Sequence, residues 1–248
     1  MEIIVKLNNT SLLIKCFIEE YNEIIYHRLL MFDNADKYNN SLIIGNDRTI
    51  INVNGKKTII DGKLEHTDLY QLINNILSNL INDNNNIYIH SCIIHNNKNT
   101  VMILGDFNAG KTTLAKYARS KGYKILSADQ SWLTTNFELY KGSLYLAYNN
   151  TYEIIDKIDH GIKIDKILIL QGITDGNLKF FKNNNYYHNL KQITKYCTWS
   201  TNNVLMTNDI ELNLNKSIIN NYLKKINIPV VYAIGKPCDI IKNMEELV

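Results

Sequence analysis

The chain has 248 residues, 45% hydrophobic and 21% charged, enough for a real core in one domain or two small ones. Its formal net charge of +3 comes from 27 Lys and Arg against 24 Asp and Glu, too weak a bias to argue for nucleic acid or a charged membrane surface. No run reaches the roughly 18 apolar residues of a membrane span, and Glu2 stands where a secretory leader carries basic residues.

The four cysteines, Cys16, Cys92, Cys197 and Cys238, form no C-x-x-C pair. A disulfide framework or zinc site is not expected, and a reducing, cytoplasmic compartment is. Asn and Ile are abundant, whereas Arg occurs only at 28, 48 and 119. Asn, Ile, Lys and Tyr share AT-rich codons, so base composition explains this bias. The Asn residues are interleaved with Ile and Leu, unlike the long tracts of prion-like segments.

Residues 1–66 read as β-rich. Glu2–Leu7 and Ser11–Ile18 are β-branched runs, and Arg48–Val53 and Lys57–Asp61 flank Asn54-Gly55, a strong hairpin turn signal. Leu69, Leu72, Ile73, Ile76, Leu77, Leu80 and Ile81 recur at steps of three and four, the stripe of an amphipathic helix. Thr67 or Asp68 is its cap, and Asp83–Asn86 ends it. A second part is expected over 67–248. It opens with two apolar runs, Ile87–Ile94 and Thr100–Leu104, joined by the polar turn Asn96–Asn99.

A Gly-bounded loop and a helix over Lys111–Lys121 follow, then a strand over Tyr123–Ser127. Trp132–Tyr140 and Ser143–Tyr148 read as a hairpin turning near Lys141-Gly142. Residues 151–164 give no clear pattern. Lys166–Leu170 is a buried strand, Tyr187–Trp199 and Lys216–Ile226 are helical, and Pro229–Ile234 is a strand. Pro237 opens a last short helix. The expected class is mixed α/β (α+β): a mixed sheet with flanking helices behind a β-rich N-terminal part.

Gly105-Asp106-Phe107-Asn108-Ala109-Gly110-Lys111-Thr112 fits G-x-x-x-x-G-K-[ST], and it lies between a strand, Val101–Leu104, and a helix, as that motif requires. The residue types suit phosphate. Glycines let the backbone wrap closely, and backbone N–H groups at a helix N-terminus present positive partial charge. Lys111 places an ammonium against the β- and γ-phosphates, and the Thr112 hydroxyl suits Mg²⁺. The expected nucleotide site is Gly105 through Thr113, taking ATP or GTP.

Mg²⁺ keeps several waters and takes few protein ligands, so an acidic group near the phosphates is expected. Asp129 follows the strand after the loop's helix, where ligands meet the carboxyl edge of a parallel sheet. It is the candidate second metal ligand beside Thr112. His90, on a strand before the loop, is a further candidate. His95 sits beside a polar turn. Asp156, Asp159, His160 and Asp165 read as a solvated face. Phe180-Phe181 and Tyr186-Tyr187-His188 read as core and surface, with a cleft border as the alternative.

Taken in order, Ile89-His90-Ser91, the loop Gly105–Thr112, the helix ending near Gly122 and the strand closing in Leu126-Ser127-Ala128-Asp129 resemble the HPr kinase/phosphorylase group and its smaller relatives. A late Ile228–Tyr232 strand with a short helix is also similar. The clear match covers about 87–135. The resemblance implies a fold akin to phosphoenolpyruvate carboxykinase and transfer of phosphate from a nucleotide to a serine hydroxyl. The acceptor would be a small protein or peptide, with a small metabolite as second choice. Lys111 would hold the phosphates, Thr112 the metal, and Asp129 the metal or the acceptor proton, tuned by His90. Homo-oligomers are common in the group.

Two departures stand out. The family shows two adjacent acids where this chain has Ala128 and Asp129, and it uses a late arginine where this chain has none after Arg119. Lysine is a poorer bidentate phosphate partner, which weighs against the reverse phosphorylase reaction. The alternative function is a nucleotide-binding regulator that transfers nothing.

Overall fold

The computed structural model describes residues 1–7, 9–81, 86–148, 151–157, 161–197, 224 and 228–246. They fall into two compact units, one within Met1–Asn85 and one within Asn86–Thr198 and Lys216–Val248. The division lies later than residue 66, so the long helix of 69–81 groups with the N-terminal strands.

In the first unit, β1 (Glu2–Leu7), β2 (Thr10–Cys16), β3 (Asp33–Asn34), β4 (Asn40–Ile44), β5 (Arg48–Val53) and β6 (Lys56–Asp61) form one sheet, ordered β3-β1-β2-β4-β5-β6. All pairs are antiparallel except β2 with β4. The β5–β6 hairpin turns on Asn54 and Gly55, both at positive φ (52° and 76°), as a type I′ turn demands. Along β5, Thr49, Ile51 and Val53 point to the core in strict alternation.

Helix α1 (Asn22–Leu29) packs against α2 (His66–Ile81). The Arg28 guanidinium lies 3.6 Å from the centre of the Tyr70 ring, and His66 meets Tyr21 edge-on. All seven residues of the predicted stripe are buried, and each is worth about 1.5–3 kcal/mol of burial. The helix begins before the expected caps: the Leu69 N–H donates to the Glu65 carbonyl, and Asp68 lies in the first turn.

In the second unit, β7 (Asn86–His90) and β8 (Cys92–His95) replace the single strand expected over Ile87–Ile94. They belong to different sheets. The break is at Ser91: its N–H donates to the Asp129 carbonyl one step beyond the His90–Gln130 pair, the β7–β11 ladder ends there, and from Cys92 the chain pairs with β9 in the other sheet. The first sheet also contains β9 (Thr100–Leu104), β10 (Lys124–Ser127), β16 (Lys166–Ile173), β17 (Lys179–Lys182) and β18 (Val230–Gly235), in the order β10-β8-β9-β16-β18-β17. Its centre, β9, β16 and β18, is parallel. Every residue of β9 is buried, the mark of a strand covered on both faces.

The second sheet is antiparallel, ordered β15-β12-β11-β7, with β11 (Gln130–Thr134), β12 (Glu138–Gly142) and β15 (Ile162–Lys163). A separate hairpin joins β13 (Tyr145–Tyr148) and β14 (Thr151–Ile154). The turn expected at Lys141-Gly142 lies instead between β11 and β12. There the Thr134 hydroxyl accepts from the N–H groups of Asn136 and Glu138, and Phe137 takes the left-handed conformation (φ 61°). Gly142 has another use. A Cβ there would come within 2.7 Å of the Leu126 carbonyl and the Ser127 side chain, so glycine lets β12 approach β10.

Helices α3 (Lys111–Ser120), α4 (Tyr186–Cys197) and α5 (Pro237–Glu246) complete the unit. The helix expected over Lys216–Ile226 lies almost wholly outside the described residues. The mixed α/β class with a β-rich N-terminal part is as the sequence leads one to expect. Among the described residues, no helix is long and apolar enough to cross a membrane.

Candidate phosphate-binding site

The loop from Gly105 to Gly110 joins the buried end of β9 to the first turn of α3. The Ala109 N–H donates to the Asp106 carbonyl at 3.1 Å, closing a tight turn, and Asn108 sits in the left-handed region (φ 62°). Gly110 caps the helix at φ 94°, where a Cβ would lie 2.4 Å from Ile173 at the end of β16. The helix then starts with the Leu114 N–H donating to the Gly110 carbonyl. Leu114, Ala115 and Ala118 are its buried face. The N–H groups of Lys111, Thr112 and Thr113 have no carbonyl one turn back within the helix, the kind of helix start that suits an anion.

Lys111 is buried, and its Nζ bridges the loop by donating to the carbonyls of Gly105 (2.8 Å) and Asp106 (3.2 Å). An ammonium has three donors, so one remains for a phosphate oxygen. Burial lowers the Lys111 pKa below 10.5, and the charges of Asp129 and Asp106 oppose that shift. Cys92 lies in the same field, and burial pushes its thiol up to about 12.

Topology brings Asp129 to this end of the sheet. β10 is antiparallel to β8, and β8 is antiparallel to β9, so β10 and β9 run the same way. Their carboxyl ends lie on one edge, one strand apart, with the loop after β9 and Asp129 two residues after β10. Asp129 is partly exposed. His90, almost fully buried at the end of β7, places its Nδ1 3.6 Å from the Asp129 carboxylate.

Three buried serines fix the turn beneath this pair. The Ser91 hydroxyl donates to Ser131 (2.7 Å), Ser131 to Ser127 (2.9 Å), and Ser127 to the Gln130 carbonyl (2.6 Å). With the Ser91 N–H on the Asp129 carbonyl and the Ala128 N–H on the Ser143 carbonyl, the chain around Asp129 is held on both sides. Ala128 itself is buried.

Other predicted positions lie apart from this cluster. His95 Nδ1 pairs with the Thr100 hydroxyl at 3.0 Å. Asp165 accepts from the Thr100 N–H at 2.8 Å and secures the start of β9. Asp156 is exposed, and Asp159 and His160 lie outside the described residues. Phe181 stacks on Tyr232 at 5.3 Å, with His188 tilted against the same ring, while Tyr186 and Tyr187 are exposed. A cavity of 680 Å³ in the first unit, beside Val5, Tyr26, Leu29 and Phe32, carries none of the motif residues.

The loop has two neighbours that no spacing in the sequence announces. Lys195 and Tyr196, near the end of α4, both meet the Asp106 carboxylate, Lys195 as an ion pair and the Tyr196 hydroxyl at 3.4 Å.

The residues present suit a small, hard cation shared with phosphates. Among the described residues, no group of three or more His, Cys, Asp and Glu side chains forms a cage for a metal. Mg²⁺ needs none, since one or two protein oxygens plus substrate phosphates and waters satisfy it. Thr112, in the first turn of α3, and Asp129 are both partly exposed and carry oxygens of that kind.

No family model matches the chain, and no curated protein matches it. Among solved structures it is similar to the Hpr(Ser) kinase/phosphatase from Coxiella burnetii, at 10% sequence identity over 64% of this chain and 90% of that one, with a TM-score of 0.32.

Proposed function

We propose that the second unit binds a nucleoside triphosphate at Gly105–Thr113 and transfers its terminal phosphoryl group to a hydroxyl. The observation that carries this reading is Lys111. A lysine is held buried across a glycine-bounded loop, in the field of a carboxylate, Asp129, that comes from the bend between β10 and β11.

The division of labour follows from position. Backbone N–H groups at the start of α3 and the Lys111 ammonium neutralise the phosphates and hold them in line. Mg²⁺, held by Thr112 and Asp129, would neutralise charge on the phosphate oxygens. Asp129 orients the acceptor hydroxyl and takes its proton as the hydroxyl oxygen bonds to phosphorus and the bond to the bridging oxygen of the leaving diphosphate breaks. His90 fixes the Asp129 carboxylate. The acceptor we favour is a serine of a small protein or peptide, with a small metabolite second.

One observation favours the regulator instead. Ala128 is buried and contributes no carboxylate, so Asp129 must serve both metal and proton. A protein that binds nucleotide without transfer would need no second acid. Incubation with γ-labelled ATP and Mg²⁺ in a lysate of the source cells, with Lys111→Ala in parallel, separates the two. Label on an acceptor, absent with the variant, supports transfer. Label remaining on ATP or appearing as free phosphate supports the regulator.

A further inference from the structure

Asp106 is the only acid in the loop, and an acid beside a phosphate cradle is electrostatically costly once phosphate arrives. In the structure its carboxylate is turned to α4, where Lys195 pairs with it and the Tyr196 hydroxyl lies at 3.4 Å. Lys195 and Asp106 are half-exposed or more, and exposed ion pairs contribute little to stability. Tyr196 is buried, and burial together with the Asp106 charge raises its pKa, so its hydroxyl stays a neutral donor. The pair therefore serves poorly as a staple. It does place a cation and a hydroxyl donor against Asp106, the residue whose backbone carbonyl the buried Lys111 also holds.

We propose that Lys195 and Tyr196 form a second wall of the phosphate site, where the Asp106 carboxylate and a phosphate compete for the same cation and hydroxyl. Entry of a triphosphate exchanges one carboxylate for phosphoryl oxygens of greater charge. Lys195 then leaves Asp106 for the terminal phosphate, and Asp106 turns outward to water. No covalent bond changes in this exchange. The chain thereby gains a phosphate cation late in its sequence, where it has no arginine. The inference rests on the phosphate-loop reading and adds discrimination between a triphosphate and a diphosphate.

The test is calorimetric titration of the full chain with MgATP and with MgADP, for the natural protein, Lys195→Ala, Lys195→Arg, Asp106→Asn and the Asp106→Asn, Lys195→Ala double variant. Lys195→Ala is expected to weaken ATP by about tenfold, the worth of one charge-assisted contact, and ADP by about twofold or less. Lys195→Arg, which keeps the charge, is expected to restore most of the difference. Asp106→Asn, which removes the competing carboxylate, is expected to tighten ATP several-fold, and the gain should shrink when Lys195→Ala is added. Equal losses for ATP and ADP in Lys195→Ala, or no loss, would overturn the second wall while leaving the loop intact. Absence of ATP and ADP binding by the natural protein would remove the phosphate-loop reading and the wall with it. Lys195 is exposed on its helix, and an unchanged melting temperature in each variant excludes unfolding as the cause.

Discussion

The Nδ1 of His90 lies 3.6 Å from the carboxylate of Asp129, although the two residues end and precede different strands of one antiparallel pair. The ladder explains the meeting. Gln130 is the register partner of His90, so the residue just before Gln130 falls beside the end of β7. Asp129→Asn is expected to lower phosphoryl transfer by about 10²–10⁴-fold, the range for loss of a positioned base. Its nucleotide affinity should stay within an order of magnitude. Steady-state kinetics beside a binding titration checks both. Transfer at the natural rate in that variant would contradict the assignment.

In the proposed mechanism His90 acts through Asp129. His90→Gln should lower kcat more than it raises KM for nucleotide, and it should shift the pH profile of kcat. A variant that loses melting temperature but keeps its profile would make His90 a core residue only.

Gly110 and Gly122 flank one helix and allow a contrast. Gly110→Ala places a Cβ on Ile173 at a positive φ and should abolish nucleotide binding while costing about 1–3 kcal/mol of stability. Gly122, also at positive φ (92°), has open space around its Cβ. Gly122→Ala should cost only about 1 kcal/mol and leave binding unchanged. Thermal melts with nucleotide titrations compare the two.

The pH dependence follows from Lys111. Burial holds its pKa in the folded chain below 10.5, so between the two values the unfolded chain binds more protons and stability rises with pH. Nucleotide affinity should move oppositely, falling as pH rises through the lowered value, because phosphate needs the ammonium. Binding in that window should therefore take up a proton. Calorimetry in two buffers of different ionisation enthalpy measures the uptake, and Lys111→Arg should eliminate it.

The thiols report on packing. Cys16, Cys92 and Cys197 are buried, and burial raises the pKa of the Cys92 and Cys197 thiols, whereas Cys238 is exposed. A disulfide reagent at neutral pH should titrate one thiol quickly and the other three only after denaturation. A second fast thiol would contradict the described core.

The parts legible in the sequence are local. The strand–loop–helix placement of Gly105–Thr112 is legible because its eight residues are contiguous between an apolar run and a helical one. The helix of 69–81 is legible because its stripe needs only its own period, and the Asn54-Gly55 turn because both residues tolerate positive φ. Failures occurred where a distant element decided the outcome. Ile87–Ile94 is uniformly strand-forming, yet it divides at Ser91 because its two halves pair with different distant strands, β7 with β11 and β8 with β9 and β10. Gly142 looks like a turn residue, yet it is glycine because β10 presses against it. The Asp106–Lys195 pair joins a loop to a helix far along the chain, and no spacing rule reaches that distance.

The most direct measurement is the fate of the γ-phosphate. Purified protein with Mg²⁺, γ-labelled ATP and a lysate of the source cells should place label on one peptide or protein band, and neither Lys111→Ala nor Asp129→Asn should do so. Label found only on ATP or as free phosphate, at the same level with natural protein and both variants, would contradict phosphoryl transfer by this site.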